Sequence, residues 1–115
     1  MRAIWLLLVI ATASCSSPTG EREYAGYYRS GFESSSFHPG GVKETWWLIG
    51  SVPCQGLNVG PPVDGFPAAH WVHLSVRGTI SEKGHYGHLG GYDRKLTVQR
   101  VLACRSLLPG ERVEP

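Results

Sequence analysis

The sequence predicts an all-β protein built as one small antiparallel five-stranded barrel, with a β-sandwich as the competing arrangement. Three observations carry this. Fifteen Gly and eight Pro are spread through 115 residues, and no uninterrupted window of helical length keeps a 3.6-residue apolar period. Four segments read instead as strands, the clearest with apolar and polar residues in alternation. These strands are long and interrupted by glycine in a short chain, the pattern of a sheet that bends until it closes on itself.

The first fourteen residues stand apart from that body. Arg2 is followed by the apolar run Ile4-Trp5-Leu6-Leu7-Leu8-Val9-Ile10-Ala11, and Thr12-Ala13-Ser14 are small residues just before Cys15. A bilayer-spanning helix needs about 20 apolar residues, whereas the h-region of an export signal needs only about 7–15. The stretch Ala11-Thr12-Ala13-Ser14-Cys15 resembles the lipobox of bacterial lipoproteins, in which a peptidase cuts before an acylated cysteine. It departs from that family at Thr12, where Leu or another larger aliphatic residue is commoner. Ordinary signal-peptidase cleavage after Ala13 or Ser14 therefore stays open. The resemblance implies a signal over 1–14, a lipid such as palmitate on Cys15, a flexible tether over 15–23 and attachment to the cell envelope. Ser16 after the cysteine, rather than Asp, implies the outer membrane if the organism is Gram-negative.

Cleavage before Cys15 leaves 101 residues, enough for one domain. Ten Lys and Arg then face nine Asp and Glu, and the basic residues are scattered, so nucleic acid is not an expected partner. The lipoprotein resemblance also accounts for an odd cysteine count. With Cys15 lipidated, Cys54 and Cys104 remain as a pair, and an oxidising compartment favours their closing into a disulfide.

Along the body, the first strand segment is 24–37, where Tyr28 and Phe32 share a parity that Gly26 and Gly31 loosen. The next, 44–51, is apolar on both parities through Trp46, Trp47, Leu48 and Ile49, which predicts that both faces are covered. Short apolar pieces around 57–59 and 63–66 lie in a Gly/Pro-rich connection and read as an edge strand or a loop. Segment 71–80 alternates cleanly, with Val72, Leu74, Val76 and Ile80 on one side and Gly78 marking a bulge or bend on that side. In 95–104, Leu96 and Val98 share one face but Val101 and Ala103 have the other parity, which predicts a β-bulge near Gln99-Arg100. The domain is expected to span 24–107, and 108–115 reads as a disordered tail.

This strand order, with one long irregular loop before the last strand, resembles the OB-fold group of barrels. Over 24–107 the chain is also similar to small bacterial lipoproteins of that shape. The residues carrying this are Gly31-Phe32-Glu33, Glu44-Thr45-Trp46-Trp47, Arg77-Gly78 and Tyr86-Gly87-His88-Leu89-Gly90-Gly91-Tyr92. The resemblance implies no activity.

The loop over 84–94 concentrates two His, two Tyr, an Asp and an Arg among glycines. One reading makes it structural, with Tyr86, Leu89 and Tyr92 capping one barrel end. The other makes it a ligand site formed by Tyr86, His88, Tyr92 and Arg94, with Trp46 or Trp47 as an aromatic wall. The histidines of His70-x-x-His73 and His85-x-x-His88 number enough for zinc, but residues three apart on a strand point to opposite faces. No metal or other cofactor is expected. Ser34-Ser35-Ser36 has no nucleophile-elbow context, and Glu33, Asp64, Glu82 and Asp93 are isolated from one another, so no enzyme activity is expected. Glu33 and Arg94, each beside aromatics, are expected to face one another. The functional expectation is a lipid-anchored envelope protein acting as a binding or envelope-assembly module. A metal-binding or catalytic exported domain is the alternative.

Overall fold

The computed structural model describes residues 20–31, 33–54, 56–57, 59–63 and 66–113, with the backbone alone for 59–63 and 66–69. Cys15, the signal over 1–14, Phe32 and Asp64 lie outside the described residues.

The chain is all-β, and its five-stranded barrel closes. The strands are β1 (Arg22–Gly31), β2 (Ser34–Pro39), β3 (Trp46–Ile49), β4 (Val59–Val63), β5 (Phe66–Ala69), β6 (Val72–Ile80) and β7 (Arg94–Ser106). The single strand expected over 24–37 is two. Gly31 pairs with Ser34 across a tight reversal in which Glu33 takes a left-handed φ of 55°. The short apolar pieces of the Gly/Pro-rich connection pair as the hairpin β4–β5, a separate two-stranded sheet.

Barrel order is β1-β2-β3-β7-β6, with β6 pairing back on β1. This is the OB-fold arrangement the sequence resembles. Four of its pairings are antiparallel, and β3–β7 is parallel, with Trp46 opposite Arg94 and Ile49 opposite Thr97. An odd ring of strands cannot alternate direction all the way round, so closure requires one parallel neighbour. A parallel neighbour needs a long crossover, and the chain from β3 to β7, which includes β4, β5 and β6, supplies it.

Inside the ring lie Tyr28, Phe37, Trp46, Leu48, Val72, Leu74, Val76 and Leu96. Five of these are wholly buried: Phe37, Val72, Leu74, Val76 and Leu96. Burying a side chain of that size contributes about 1.5–3 kcal/mol. On β6 the predicted alternation holds through Val72, Leu74 and Val76. Gly78 comes next on the inner parity, where pairing with β7 jumps from Arg77↔Arg100 to Gly78↔Val98. A Cβ there would strike the carbonyl of Thr97, so the strands approach this closely only because the residue is glycine.

On β7 the shift near Gln99-Arg100 is present, and a second lies at Leu102, between Ser75↔Ala103 and Val76↔Val101. Two bulges move the inward positions to Leu96, Val98, Val101 and Cys104, while Ala103 is exposed. Only one face of β3 is buried, through Trp46 and Leu48; Trp47 is half-covered and Ile49 is exposed.

After β3 the chain turns across the barrel's end. Val52 packs against the core, Cys54 is buried within it, and a disulfide joins Cys54 to Cys104 with Cα atoms 5.8 Å apart. The segment 50–54 thus plugs the barrel and is fastened to β7.

Both ends of the described chain are tied down. Glu21 accepts from Arg77 Nε at 2.6 Å, and β1 starts at Arg22, inside the expected tether. Residues 108–113 are not the loose tail expected of a chain end. The Glu111 carboxylate accepts from the Tyr27 hydroxyl at 2.8 Å, from both Arg105 amino groups at 2.8 and 3.0 Å, and from the Leu108 amide at 2.8 Å. No helix among the described residues is long and apolar enough to cross a membrane.

Candidate functional site

The loop from β6 to β7 folds over one barrel end as a small hairpin of its own. Tyr86 and Tyr92 exchange backbone hydrogen bonds of 2.9 and 3.1 Å, and the Gly84 amide donates to the Asp93 carbonyl at 2.8 Å. At the tip, His88–Gly90 makes one tight turn, in which the Gly90 amide donates to the Gly87 carbonyl at 3.1 Å and Leu89 is left-handed rather than helical. Gly87 enters that turn at φ 69° with its Cα against the Trp47 ring, and a Cβ would collide with the indole. Both the dihedral and the space exclude a side chain at this position.

Side chains fasten the hairpin to the barrel wall. The Tyr92 ring stands edge-on to Trp47 at 4.9 Å, and its hydroxyl hydrogen-bonds the Ser36 hydroxyl at 3.0 Å. Asp93 is held twice by Thr45: its carboxylate accepts from the Thr45 amide at 3.0 Å, and its amide donates to the Thr45 carbonyl at 2.8 Å. Tyr86 donates to the Glu82 carbonyl at 2.9 Å.

Arg94 does not meet Glu33. Its Nε donates to Glu44 at 2.9 Å and its Nη1 to the Ser81 carbonyl at 3.0 Å. The parallel β3–β7 pairing decides this, because it sets Trp46 beside Arg94 and brings Glu44, two residues upstream, within reach. Glu44 also accepts from Trp46 Nε1 at 2.8 Å. That hydrogen bond, and then the one from Arg94, holds the Glu44 carboxyl below its ordinary value. Glu33 instead faces His88, Oε2 to Nε2 at 3.3 Å, joining the β1–β2 reversal to the tip of the loop.

Of the six candidate ligand residues, Trp46 forms no wall of an open site: it is 4% exposed, inside the barrel. Tyr86, His88, Tyr92 and Arg94 are brought to one end of the barrel, with Trp47 beneath, and each makes contacts within the protein. Leu89 is different. The structural reading of the loop has it cap the barrel end, yet it is 90% exposed and holds φ 57°, a conformation costly for a branched side chain. Its one signal in the sequence is a lone aliphatic residue among glycines and polar groups.

The histidines disperse. His73 lies edge-on to Tyr27, His88 faces Glu33, and among the described residues no group of three His, Cys, Asp or Glu could hold a metal. Ser35 donates to the Leu48 carbonyl at 2.7 Å and Ser36 binds Tyr92, so both hydroxyls stitch strands and loop together.

A second concentration of side chains lies on the outer wall of β1 and β2. Arg29 sits over the Trp71 ring at 4.8 Å, and His38 meets the same ring edge-on at 4.9 Å. Burial, and then the nearby Arg29 charge, lowers the His38 imidazole from its ordinary value.

No family model, curated protein or solved structure matches the chain.

Proposed function

We propose that this protein is a lipid-anchored binding module of the cell envelope, docking a partner through the tip of its β6–β7 loop. The lipid would sit on Cys15, as the lipobox-like sequence implies, and the multiple acyl chains of such an anchor hold far more firmly than one. The barrel then serves as a rigid scaffold. In a Gram-negative organism Ser16 favours the outer membrane.

The observation that carries the docking reading is Leu89. A leucine 90% exposed with φ 57° costs the free protein twice, in backbone strain and in apolar surface left to water. The turn presenting it is braced by the contacts of Gly87 and Tyr92 with Trp47 and of His88 with Glu33. Strain kept at a braced tip is a mark of a functional position. Burying that side chain in a partner would contribute about 1.5–3 kcal/mol, or about 10–150-fold in affinity.

Crosslinking in intact envelopes, followed by pull-down, tests the docking step. Leu89→Ser is expected to keep the unfolding midpoint of the parent and to lose the captured partner. Recovery of the same partner in equal yield would remove Leu89 from the interface. Mass spectrometry of the mature N-terminus tests the anchor: an acylated Cys15 is expected, and an unacylated start at Ser14 or Cys15 would make the protein freely secreted.

A further inference from the structure

β7 runs well past its parallel partner. The pairing with β3 stops at Ile49↔Thr97, while β7 continues to Ser106. Beyond Thr97 only β6 pairs with it, and among the described residues no backbone hydrogen bond joins the other side of 98–106 to another segment. The plug lies alongside without pairing: a Cβ on Gly50 would stand 3.1 Å from the Val98 carbonyl oxygen, and Cys54 is fastened to Cys104. Between plug and strand opens a cleft of about 230 Å³, lined by Pro53, Cys54 and Leu57 and by 101–104 of β7. We propose that this open edge takes up an extended acidic segment of a partner protein as an added β-strand.

The lining chemistry points to a peptide. None of these residues carries nitrogen or oxygen in its side chain, so any hydrogen bond offered to a ligand here comes from the main chain. A strand edge is a row of N–H and C=O groups spaced for another strand. An extended peptide meets both conditions. Its backbone pairs with the edge, and its alternate side chains turn to one side. There Leu57 and Leu102, 40% and 39% exposed, offer apolar contact.

Charge selects which strand. Every charged residue of β7 is basic: Arg94, Lys95, Arg100 and Arg105. Glu44 answers Arg94 and Glu111 answers Arg105. Lys95 and Arg100 are exposed and belong to no ion pair among the described residues. Two copies of β7 laid edge to edge would bring like charges together, which opposes self-pairing. A strand with Asp or Glu on its solvent side meets Arg100 instead, an attraction that steers both encounter and register.

The test titrates a short end-capped peptide of alternating valine and glutamate into the whole oxidised chain, followed by amide exchange and NMR shifts over 98–106. Matched peptides carry lysine in place of glutamate, or N-methyl groups along the backbone. In the free protein the amides of 98–106 that face away from β6 should exchange quickly, and the valine–glutamate peptide should protect them saturably. The lysine and N-methyl peptides should not. Arg100→Gln, at an exposed position, should keep the fold and weaken binding about two- to fivefold. Leu102→Glu should weaken it about tenfold or more, by lost apolar contact and added repulsion. Edge amides protected in the free protein at every concentration would overturn the proposal, since the plug would then cover the edge. Protection that grows with protein concentration would also overturn it, by making a second copy the occupant. So would absence of protection by the valine–glutamate peptide, equal binding of either control peptide, or undiminished binding in both variants. Leu89 takes no part in these measurements, so the docking reading stands or falls separately.

Discussion

Replacing both Cys54 and Cys104 by Ala removes the disulfide that ties the plug to β7. The two residues are 50 apart in sequence. For a closed loop of that length, the chain-entropy treatment gives about 4 kcal/mol of stabilisation through restriction of the unfolded chain. The folded state adds a second term. Cys54 is 3% exposed and Val52 packs on the same cluster, so a loosened plug would also admit water to Leu74 and Val76. In a domain of this size each kcal/mol moves the melting temperature by about 4–8 °C, and the variant should melt roughly 15–30 °C lower. Thermal melts give the shift and urea denaturation the free energy for the oxidised parent, the reduced parent and the double Ala variant, with the last two expected to coincide. A double variant within about 1 kcal/mol of the oxidised parent would refute the reasoning. It would mean that the unfolded chain is already compact or that the plug holds without the link.

Gly87→Ala should cost about 2 kcal/mol or more, from left-handed backbone strain together with the collision with Trp47. Gly91→Ala, at φ −85° with only the His88 carbonyl in ordinary contact at 3.8 Å, should change the urea midpoint little. Glu111 is held at about 2, first by Arg105, then by the Leu108 amide and Tyr27. Its folded value lies below the ordinary carboxylate value of 4.5, so its contribution is complete above that pH and is lost as the pH falls toward 2. The stability gap between the parent and Glu111→Gln should therefore be constant near neutrality and close in acid, as read from urea midpoints across that range. Glu44→Gln should show the same sign, because Trp46 and Arg94 lower Glu44 as well, and an Arg94→Gln background should shrink its effect.

Periodicity made β6 legible, since Val72, Leu74 and Val76 sit on one side of a strand and need no knowledge of their neighbours. The register break on β7 near Gln99 was legible for the same reason. The second break was not: Leu102 and Ala103 are both apolar yet both face out, and the pairing of Val101 with Val76 and of Ala103 with Ser75 decides this. The 84–94 loop could be singled out by composition. Its internal bonding could not, because Trp47, Ser36, Thr45 and Glu33 come from strands and turns far away in sequence.

By itself the sequence determined an all-β chain and its strongest strands, since these rest on local alternation; the Cys54–Cys104 pair followed only from the resemblance that assigns Cys15 to lipid. Only the tertiary structure decided which charges meet. Arg94 goes to Glu44 because the parallel β3–β7 pairing sets Arg94 opposite Trp46, and Glu33 goes to His88 because the β6–β7 loop reaches the β1–β2 reversal. It also decided that Leu89 is displayed rather than packed. No local pattern contains that outcome, which follows from a loop clasped to the wall at Gly87 and Tyr92 with its tip left over.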